Sequence, residues 1–307
     1  MNQNPEVSFI ICTYNRADYL DDTLSSLLEF GNPDFTYEIV VIDNNSTDNT
    51  PQTAKKFDSL ASEKGIELNY YKEEKQGLSY ARNRGIGEAK AKHVVFFDDD
   101  IRATKSLIPS WCSFFRQHPE ATAAGGKIHV QFDAPRPKWM SHFLLPLLGH
   151  HDLGSGQKKY PSNKYPFGGN MGFDKTIFER IGLFDTDLGR KGKQLNAAEE
   201  KELFQRIRKN SIPIHYLPGA FLYHRVGRER LTIDFVRKQA LGLGSSMKMQ
   251  LNEASFSEFL KNWLLELGKF LATVPIGLGY LISLQGAKTK LLFQFRYWIW
   301  KGYREET

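Results

Sequence analysis

The chain has 307 residues, of which 41% are hydrophobic and 25% charged, a composition typical of a globular protein with a sizeable core. It excludes a disordered chain, and two distant cysteines, Cys12 and Cys112, exclude a disulfide framework or a zinc ribbon. The net charge of +6 favours partners that carry phosphate or an anionic surface. The first residues lack the basic and apolar regions of a signal peptide, so we expect a cytoplasmic location.

The N-terminal half alternates predicted strands and helices. Four apolar, β-branched runs predict strands at residues 7–13, 37–43, 66–72 and 94–97. Helical spacing of apolar residues over 18–30 and a second helix over 79–90 predict connections between them. Such alternation is typical of an α/β fold with a parallel, Rossmann-like sheet flanked by helices, in which ligands bind beyond the carboxyl ends of the strands.

Three consecutive carboxylates, Asp98, Asp99 and Asp100, follow the fourth predicted strand. Like charges at one strand end repel one another, and a soluble fold gains nothing by clustering them. Bound to a divalent cation, the same groups become oxygen ligands that can hold a metal–diphosphate complex. A solvated acidic turn is the alternative.

Six motifs in a fixed order carry a family resemblance. They are residues 9–16, 42–48, 77–86, 98–100, 168–173 and 199–203. Together they resemble the family 2 glycosyltransferases of the GT-A fold, the inverting class that depends on a nucleotide sugar. The resemblance covers roughly residues 5–235. It implies a GT-A catalytic domain over 1–235, with a nucleotide-binding half (1–105) and an acceptor-binding half (106–235), followed by a helical extension over 236–307.

The resemblance and the residue chemistry together indicate a donor site at the strand ends. Its candidate residues are Thr13, Tyr14, Asn15, Arg16, Asp43, Asn45, Arg82, Asp98, Asp99, Gly169, Asn170, Arg225 and Arg230. Asp43 would accept a hydrogen bond from the base, which favours a UDP-sugar, and the planar guanidinium of Arg82 would bind phosphate or base. Helix or turn capping is the alternative for Tyr14, Arg16 and Asp43.

The resemblance makes the acidic triplet an Asp-X-Asp motif that binds a divalent cation. Asp100 is then the best metal ligand, with Asp98 or Asp99 contacting the ribose or ligating through water. His224 ends a strand-like run just before a basic segment and would complete the site; a surface histidine is the alternative. Carboxylate oxygens suit Mn²⁺ or Mg²⁺, which would neutralise the diphosphate leaving group.

An acidic pair, Glu199 and Glu200, begins a predicted helix. Inverting transfer needs a carboxylate that takes the proton of the acceptor hydroxyl, and a helix N-terminus favours carboxylates. The pair aligns with the family's Glu-Asp motif, except that its second position is Glu200 instead of Asp. We expect Glu200 to be the base and Glu199 the reserve candidate; stabilisation of the helix start is the alternative.

Two regions suggest contact with lipid. The long loop 135–166 carries aromatic and leucine residues that suit a lid or a lipid-linked acceptor. From about residue 231 the chain is predicted to be helical, Trp-rich and basic, which suits peripheral contact with the inner face of the cytoplasmic membrane. Its uncharged run, 270–284, would be roughly 22 Å long as a helix, shorter than a ~30 Å hydrocarbon core. Whether 263–284 inserts in the bilayer or packs on protein stays open.

The predicted function is metal-dependent transfer of a sugar to a glycan or lipid-linked acceptor in surface polysaccharide or cell-wall glycan synthesis. One alternative is a catalytically lapsed nucleotide-sugar-binding or scaffold subunit, for which Glu200 in place of Asp is the hint. A second is a nucleotidyltransferase, although residues 13–18 match its phosphate-grasping loop poorly. Nucleic-acid binding is not expected, because the basic residues cluster with membrane-like aromatics. The donor sugar, the linkage and any oligomer stay open.

Overall fold

The chain folds into two compact units. The computed structural model describes residues 4–30, 34–189, 199–252 and 256–304. The first unit comprises residues 1–129 and 151–225, and the second comprises 130–150 and 226–307. The segment 130–150 therefore belongs with the C-terminal helices, although the chain returns to the first unit between them.

Strand and helix alternate through the first hundred residues, as the sequence predicted. The elements are β1 (Val7–Thr13), α1 (Ala17–Glu29), β2 (Tyr37–Asp43), α2 (Thr50–Glu63), β3 (Glu67–Lys72), α3 (Leu78–Glu88) and β4 (His93–Asp98). The pairs β1–β2, β2–β3 and β1–β4 are parallel. Thr13 is in register with Asp43, and Cys12 with Asp98, so the carboxyl ends of three strands meet at one edge.

The remainder of the sheet is antiparallel. Its elements are β5 (Ile101–Ala103), α4 (Leu107–Gln117), β6 (Ala123–Phe132), β7 (Lys158–Lys159), β8 (Asn170–Asp174), α5 (Thr176–Ile181), α6 (Glu199–Lys209) and β9 (His215–Val226). Within the described ranges, nine strands form one sheet in the order β3-β2-β1-β4-β8-β6-β9-β5, with β7 paired to β9. β8 runs antiparallel to β4 and β6, and β9 runs antiparallel to β5 and β7.

Alternate residues of the central strands fill two hydrophobic cores, one on each face of the sheet. Phe9 and Ile11 of β1 pack with apolar residues of α1, α2 and α4, whereas Ile10 packs with those of α3, α5 and α6. All three side chains are fully buried. Strands covered on both faces read as continuous apolar runs, which is why these strands were recognisable in the sequence.

The second unit has its own hydrophobic core. Its helices are a 3₁₀ helix (His142–Leu148), a 3₁₀ turn (Arg228–Arg230), α7 (Ile233–Asn252), α8 (Phe256–Ile282) and α9 (Gly286–Arg304). Leu144, Leu145 and Leu148 pack with apolar residues of α7 and α9. The expectation that these leucines face a lipid-linked acceptor is therefore wrong, because all three side chains are buried in this protein core.

α8 carries the apolar segment noted in the sequence. Its part Trp263–Ile282 has a mean hydropathy of 1.4 and is long and apolar enough to cross a membrane by length and composition. Only 11% of the most apolar window is buried, and Leu264, Leu271 and Leu278 are each more than half exposed. Residues seven apart lie on one side of a helix, so α8 presents a continuous exposed apolar face. Such faces mark sites of interaction.

Candidate active site

The acidic triplet at the end of β4 is held by Arg16 and Thr13. Asp99 accepts hydrogen bonds from Thr13 Oγ1 and from Arg16, both at 2.7 Å. The other terminal nitrogen of Arg16 donates to Asp100 Oδ2, also at 2.7 Å. Burial raises the pKa of Asp99 to about 7 although Arg16 opposes the rise, and burial together with Asp100 raises the pKa of Asp98. Burial and the neighbouring carboxylates thus disfavour full ionisation of the triplet.

Asp98, Asp100 and His224 form a cluster that could hold a metal ion. Each offers one ligand atom, and these atoms all lie within 4.8 Å of one another. The antiparallel pairing of β5 with β9 puts His224 in register with Ile101, directly after the triplet, and His224 Nε2 lies 3.2 Å from Asp100 Oδ1. The two carboxylates suit Mn²⁺ or Mg²⁺, and the imidazole adds a nitrogen ligand. The structure therefore brings the three predicted ligands together in a donor set that fits the cation; metal binding itself stays a prediction.

Glu199 and Glu200 begin α6 as expected, and both pair with Arg82 of α3. Nη1 of Arg82 lies 3.0 Å from Glu199 Oε1, and Nη2 lies 2.9 Å from Glu200 Oε1. The side chains of Arg82 and Glu199 are 2% and 1% exposed, whereas that of Glu200 is 20% exposed. Burial works against the charged guanidinium, but the two carboxylates outweigh it and raise the pKa of Arg82. The pair thus contains one accessible carboxylate and one enclosed carboxylate.

The Gly168–Gly169 turn separates the glutamate pair from the metal-competent cluster. The Gly168 amide donates to Glu200 Oε2 at 2.8 Å. A Cβ added at Gly168 would lie 1.8 Å from Glu200 Oε1, and one at Gly169 would lie 2.6 Å from Asp98 Oδ2. Close approach of the backbone, which only glycine permits, therefore explains both residues. Consecutive residues of one turn contact the candidate base and a candidate metal ligand.

The expected base-binding residue, Asp43, is buried at the end of β2. Its carboxylate accepts hydrogen bonds from the Ser46 amide at 2.8 Å and from the Tyr70 hydroxyl at 2.7 Å. Burial and this carboxylate raise the pKa of Tyr70. Asn45 has a φ of 65°, a left-handed conformation that asparagine tolerates. Tyr14, at the end of β1, is 37% exposed, so its ring is available to a ligand.

Hydrogen bonds connect the loops that follow β1 and β2. Asn15 Oδ1 accepts a hydrogen bond from the Thr47 amide at 2.7 Å. Asp48 Oδ2 accepts one from the Ala17 amide at the start of α1, and Asp48 Oδ1 accepts two from Thr50 at the start of α2. The carboxylate of Asp48 therefore caps the N-termini of α1 and α2, where the first backbone amides have no hydrogen-bond partner within the helix.

Asn170 serves the scaffold, which corrects our expectation that it contacts donor hydroxyls. The residue is fully buried at the start of β8. Its Oδ1 accepts a hydrogen bond from Trp111 Nε1 at 3.0 Å, and its Nδ2 donates to the carbonyls of Lys127 and Ala220 at 3.1 and 2.8 Å. Both polar atoms are thus used by the protein, and they tie β8 to its neighbours.

The two predicted arginines after His224 are placed differently from each other. Arg225 lies 3.1 Å from Asp22 Oδ2, and its guanidinium sits 4.7 Å from the centre of the Tyr19 ring. Arg16 contacts the same ring at 4.3 Å, so Arg225 belongs to the surroundings of the triplet. Arg230 lies in a 3₁₀ turn of the second unit.

Asn44 is a site-building residue that sequence reasoning missed. It is buried, its Nδ2 donates to the Lys75 carbonyl at 2.7 Å, and its Oδ1 accepts from the Gly77 amide at 2.7 Å. It thereby fixes the segment that leads into α3 and Arg82. The available signal was an asparagine directly after a strand-end aspartate, a residue type that commonly bonds nearby backbone.

Residues 8–182 match the profile of the family described as Glycosyl transferase family 2. The match covers more than half of the chain. This protein belongs to glycosyltransferase family 2. It is an enzyme of the glycosyltransferase class, which confirms the family and activity predicted from the motifs.

Relatives and solved structures agree with this assignment. The glycosyltransferase is 25% identical over 254 residues to glucosyl-dolichyl phosphate glucuronosyltransferase of Haloferax volcanii, covering 80% of this chain and 77% of that protein. Mannosyltransferase PcManGT of Pyrobaculum calidifontis, solved with GDP-Man and Mn²⁺, has a TM-score of 0.60 at 18% identity, over 99% of this chain and 89% of that one. S. aureus TarS with UDP-GlcNAc has a TM-score of 0.55 at 18% identity, over 97% and 91%. These likenesses confirm the predicted GT-A fold with its helical C-terminal part.

Proposed function

We propose that this glycosyltransferase moves a sugar, with inversion, from a nucleotide-sugar donor to a glycan or lipid-linked acceptor in surface polysaccharide or cell-wall glycan synthesis. A UDP-sugar is the favoured donor, and Mn²⁺ or Mg²⁺ is the proposed cofactor. The Gly168–Gly169 turn carries the proposal, because it sets Glu200 and Asp98 next to each other. A displacement needs a base for the acceptor and charge stabilisation for the leaving group on either side of one sugar carbon.

Glu200 is the proposed base. The acceptor hydroxyl oxygen forms a bond to the anomeric carbon while its proton passes to a carboxylate oxygen of Glu200. Glu200 is the accessible member of the pair, whereas Glu199 is enclosed beside Arg82 and acts as a counter-charge. Arg82 and the Gly168 amide each hold one oxygen of Glu200, so the carboxylate is oriented before the acceptor arrives.

The leaving group is proposed to bind at the acidic triplet. As the bond from the anomeric carbon to the diphosphate oxygen breaks, negative charge collects on the nucleoside diphosphate. Asp98, Asp100 and His224 would hold the divalent cation, which when bound supplies neutralising charge. Arg16 adds a guanidinium against the same triplet.

The nucleoside is proposed to bind along the loops after β1 and β2. These loops carry Tyr14, Asn15 and Asp43 and are held together by their own hydrogen bonds, so little ordering is required on binding. The solved neighbours contain UDP-GlcNAc and GDP-Man, so the fold accommodates both bases. The proposed preference for uracil rests on the position of Asp43 after β2, where its carboxylate also accepts hydrogen bonds from Ser46 and Tyr70.

The acceptor is proposed to be presented at a membrane. The Haloferax relative is named for a dolichyl-phosphate-linked glycan, which supports a lipid-linked acceptor. The exposed apolar face of α8 supports peripheral contact through the C-terminal region, at the inner face of the cytoplasmic membrane.

Transfer is tested with Glu200→Gln in the full chain. Release of UDP from UDP-sugars is measured with Mn²⁺ and a lipid-linked glycan acceptor. We expect turnover to fall by about 100-fold or more, the contribution of a general base, because an amide cannot take the proton. The matched control is Glu202→Gln on the same helix, whose carboxylate pairs with Arg206 and should be dispensable for chemistry. Undiminished turnover in folded Glu200→Gln protein would refute the assignment of the base.

Donor binding is tested by calorimetric titration of UDP, dTDP, GDP and CMP, with and without Mn²⁺. We expect one nucleotide to bind in a metal-dependent manner, and Asp100→Ala to abolish that dependence while circular dichroism shows a folded protein. Asp58→Ala, on the exposed side of α2, is the control. A folded protein that binds none of the four nucleotides would remove the transferase proposal.

A further inference from the structure

A cavity of about 470 Å³ lies between the helices of the second unit. Its wall is apolar and aromatic and includes Trp263, Leu267 and Phe270 of α8 and Trp300 of α9. The volume falls within the range of ligand pockets, about 300–1,000 Å³. Trp263, Phe270 and Trp300 are each about half exposed, so the lining continues into the exposed apolar face of α8.

Two guanidinium groups, those of Arg296 and Arg304, line the same cavity. Among the residues that the structure describes, neither has a carboxylate within ion-pair distance. Arg296 Nε donates to Thr273 Oγ1 at 3.2 Å, and Arg304 lies 4.6 Å from the centre of the Trp300 ring. Guanidinium groups with unused donors beside an apolar wall match a ligand that combines a phosphate with hydrocarbon.

The charges around the cavity favour an anion. Its acidic lining residue, Glu266, pairs with Lys269 one turn away and also interacts electrostatically with Arg296, and the lining stays net positive because it contains two arginines and one glutamate. α9 contains no Asp or Glu and five cations, Lys288, Lys290, Arg296, Lys301 and Arg304. A strongly cationic helix beside an exposed apolar helix is complementary to the surface of an anionic bilayer.

We propose that this cavity binds the headgroup of an anionic membrane phospholipid. Arg296 and Arg304 donate charge-assisted hydrogen bonds to the phosphate oxygens. The glycerol and the first methylenes of the acyl chains lie against Trp263, Phe270 and Trp300. A soluble phosphorylated compound would leave this apolar wall unused, which is why a lipid is the better fit. The inference rests on the membrane contact in the proposed function and is independent of sugar transfer.

The full-length protein is titrated with monomeric dihexanoyl phosphatidylglycerol, and tryptophan fluorescence is recorded. We expect a saturable change that Trp263→Phe and Trp300→Phe reduce, since both rings line the cavity. Arg304→Gln should weaken binding roughly tenfold, as the loss of one charge-assisted hydrogen bond predicts. Lys290→Gln, a matched loss of an exposed cation on α9 outside the cavity, should change affinity by less than about twofold. Monomeric lipid presents no charged surface, so only a site can distinguish the two variants.

Arg296→Gln is the second variant, with circular dichroism as the check on folding. If Arg304→Gln and Lys290→Gln bound the lipid with equal affinity, the proposed binding site in the cavity would be refuted, and diffuse electrostatic attraction along α9 would explain the binding. Equal binding of dihexanoylglycerol, which lacks the phosphate, would overturn the role of the arginines. Displacement of the lipid by inorganic phosphate at the same concentration would reassign the site to a soluble anion. Because no donor sugar is used, each of these results leaves the transfer experiment unaffected.

Discussion

The buried guanidinium of Arg82 offsets the negative charges of Glu199 and Glu200, the pair that contains the candidate catalytic base. It is the most enclosed cation around the candidate active site, and its partner Glu199 is equally enclosed. A buried ion pair adds little net stability compared with apolar residues, but removal of one partner leaves an uncompensated charge in a poorly solvated place. Arg82 therefore has two roles: it stabilises the packing of α3 against α6, and it orients Glu200.

We expect Arg82→Gln to lower the free energy of unfolding by about 3–5 kcal/mol, the cost of leaving a buried charge without its partner. The measurement is urea unfolding followed by circular dichroism. Arg84→Gln is the control: this arginine lies on the same helix, is 44% exposed and pairs with Glu88 four residues later. Its loss should cost about 0.2–0.5 kcal/mol. Similar costs for the two substitutions would contradict the argument.

The residues that follow strands could be predicted, but their partners could not. Asp98 to Asp100, His224 and the glutamate pair stand out because polar groups end apolar runs or begin a helix. Arg82 was also singled out, but as a ligand of phosphate or base. Its partner Glu199 lies 117 positions away, and no local pattern connects the two. For the same reason the sequence did not reveal the structural role of Asn170, whose hydrogen bonds go to three segments that are distant in sequence.

Asp48 connects two helices, α1 and α2, at the edge of the sheet where the carboxyl ends of the parallel strands meet. We expect Asp48→Ala to lower the free energy of unfolding by about 1–2 kcal/mol at neutral pH, because both helix N-termini lose a capping group. Asp58→Ala in the exposed middle of α2 should stay within about 0.5 kcal/mol of the wild type. Thermal unfolding of the two variants provides the comparison.

The cost of Asp48→Ala should depend on pH. Burial disfavours the charged form of Asp48, but hydrogen bonds from Thr50 and from the Ala17 amide outweigh it and hold the pKa below the ordinary value of 3.8. A depressed pKa contributes stability above the unfolded value, and that contribution is lost as the pH falls through the folded pKa. The difference between variant and wild type should therefore shrink below about pH 4. A difference that is constant from pH 7 to pH 3 would count against the double cap.

Close contact between α7 and α9 depends on two glycines. A Cβ at Gly244 would lie 2.0 Å from the Ile299 carbonyl oxygen, and one at Gly302 would lie 2.2 Å from that of Leu241. Backbone atoms cannot move aside as a flexible side chain can, so Gly244→Ala should separate the helices. We expect a loss of about 1–3 kcal/mol by thermal unfolding.

Gly242 provides the matched control for this prediction. It lies two residues earlier on α7, and a Cβ there would meet nothing within 4 Å. Gly242→Ala should therefore stabilise the helix by about 0.5–1 kcal/mol, since alanine restricts the unfolded chain more than glycine does. The two substitutions are expected to have opposite signs, and stabilisation by both would show that the helices do not meet at Gly244.

The parallel half of the sheet was predictable because each strand is followed by a helix and buried on both faces. The antiparallel half was not, since β8 and β9 pair with β4 and β5, which lie far away in the sequence, and no local pattern indicates those pairings. Sequence reasoning selected His224 and Arg225 of β9 as candidate site residues without predicting the strand pair that places them beside β5.

Across the whole molecule, the second unit is built from two distant stretches of chain. A fragment of residues 1–235 would retain the 3₁₀ helix and lose Leu291, Phe295 and Ile299, which help to cover it. We expect this fragment to aggregate or to bind a hydrophobic dye, as measured by light scattering and dye fluorescence. A monodisperse fragment that binds no dye would contradict this expectation.

The substitution Leu148→Gln tests whether the fragment aggregates because its apolar residues are exposed or because it is generally unstable. In the fragment the substitution removes an exposed apolar group and should improve solubility. In the full chain the same residue is buried, so the change should cost more than about 2 kcal/mol. The opposite direction of the two effects is the expected signature of a core completed by the C-terminal helices.

The two-part second unit also has a consequence for biosynthesis. Leu144, Leu145 and Leu148 leave the ribosome ~140 residues before Leu291, Phe295 and Ile299, against which they pack. At ~5–20 residues per second, the early leucines wait roughly 7–30 s for their partners, far longer than hydrophobic collapse takes. During that interval the nascent chain displays an apolar segment while the N-terminal part of the sheet can already form. We therefore expect this short apolar segment to be a site of chaperone binding during translation, before the helices that complete its core have been synthesised.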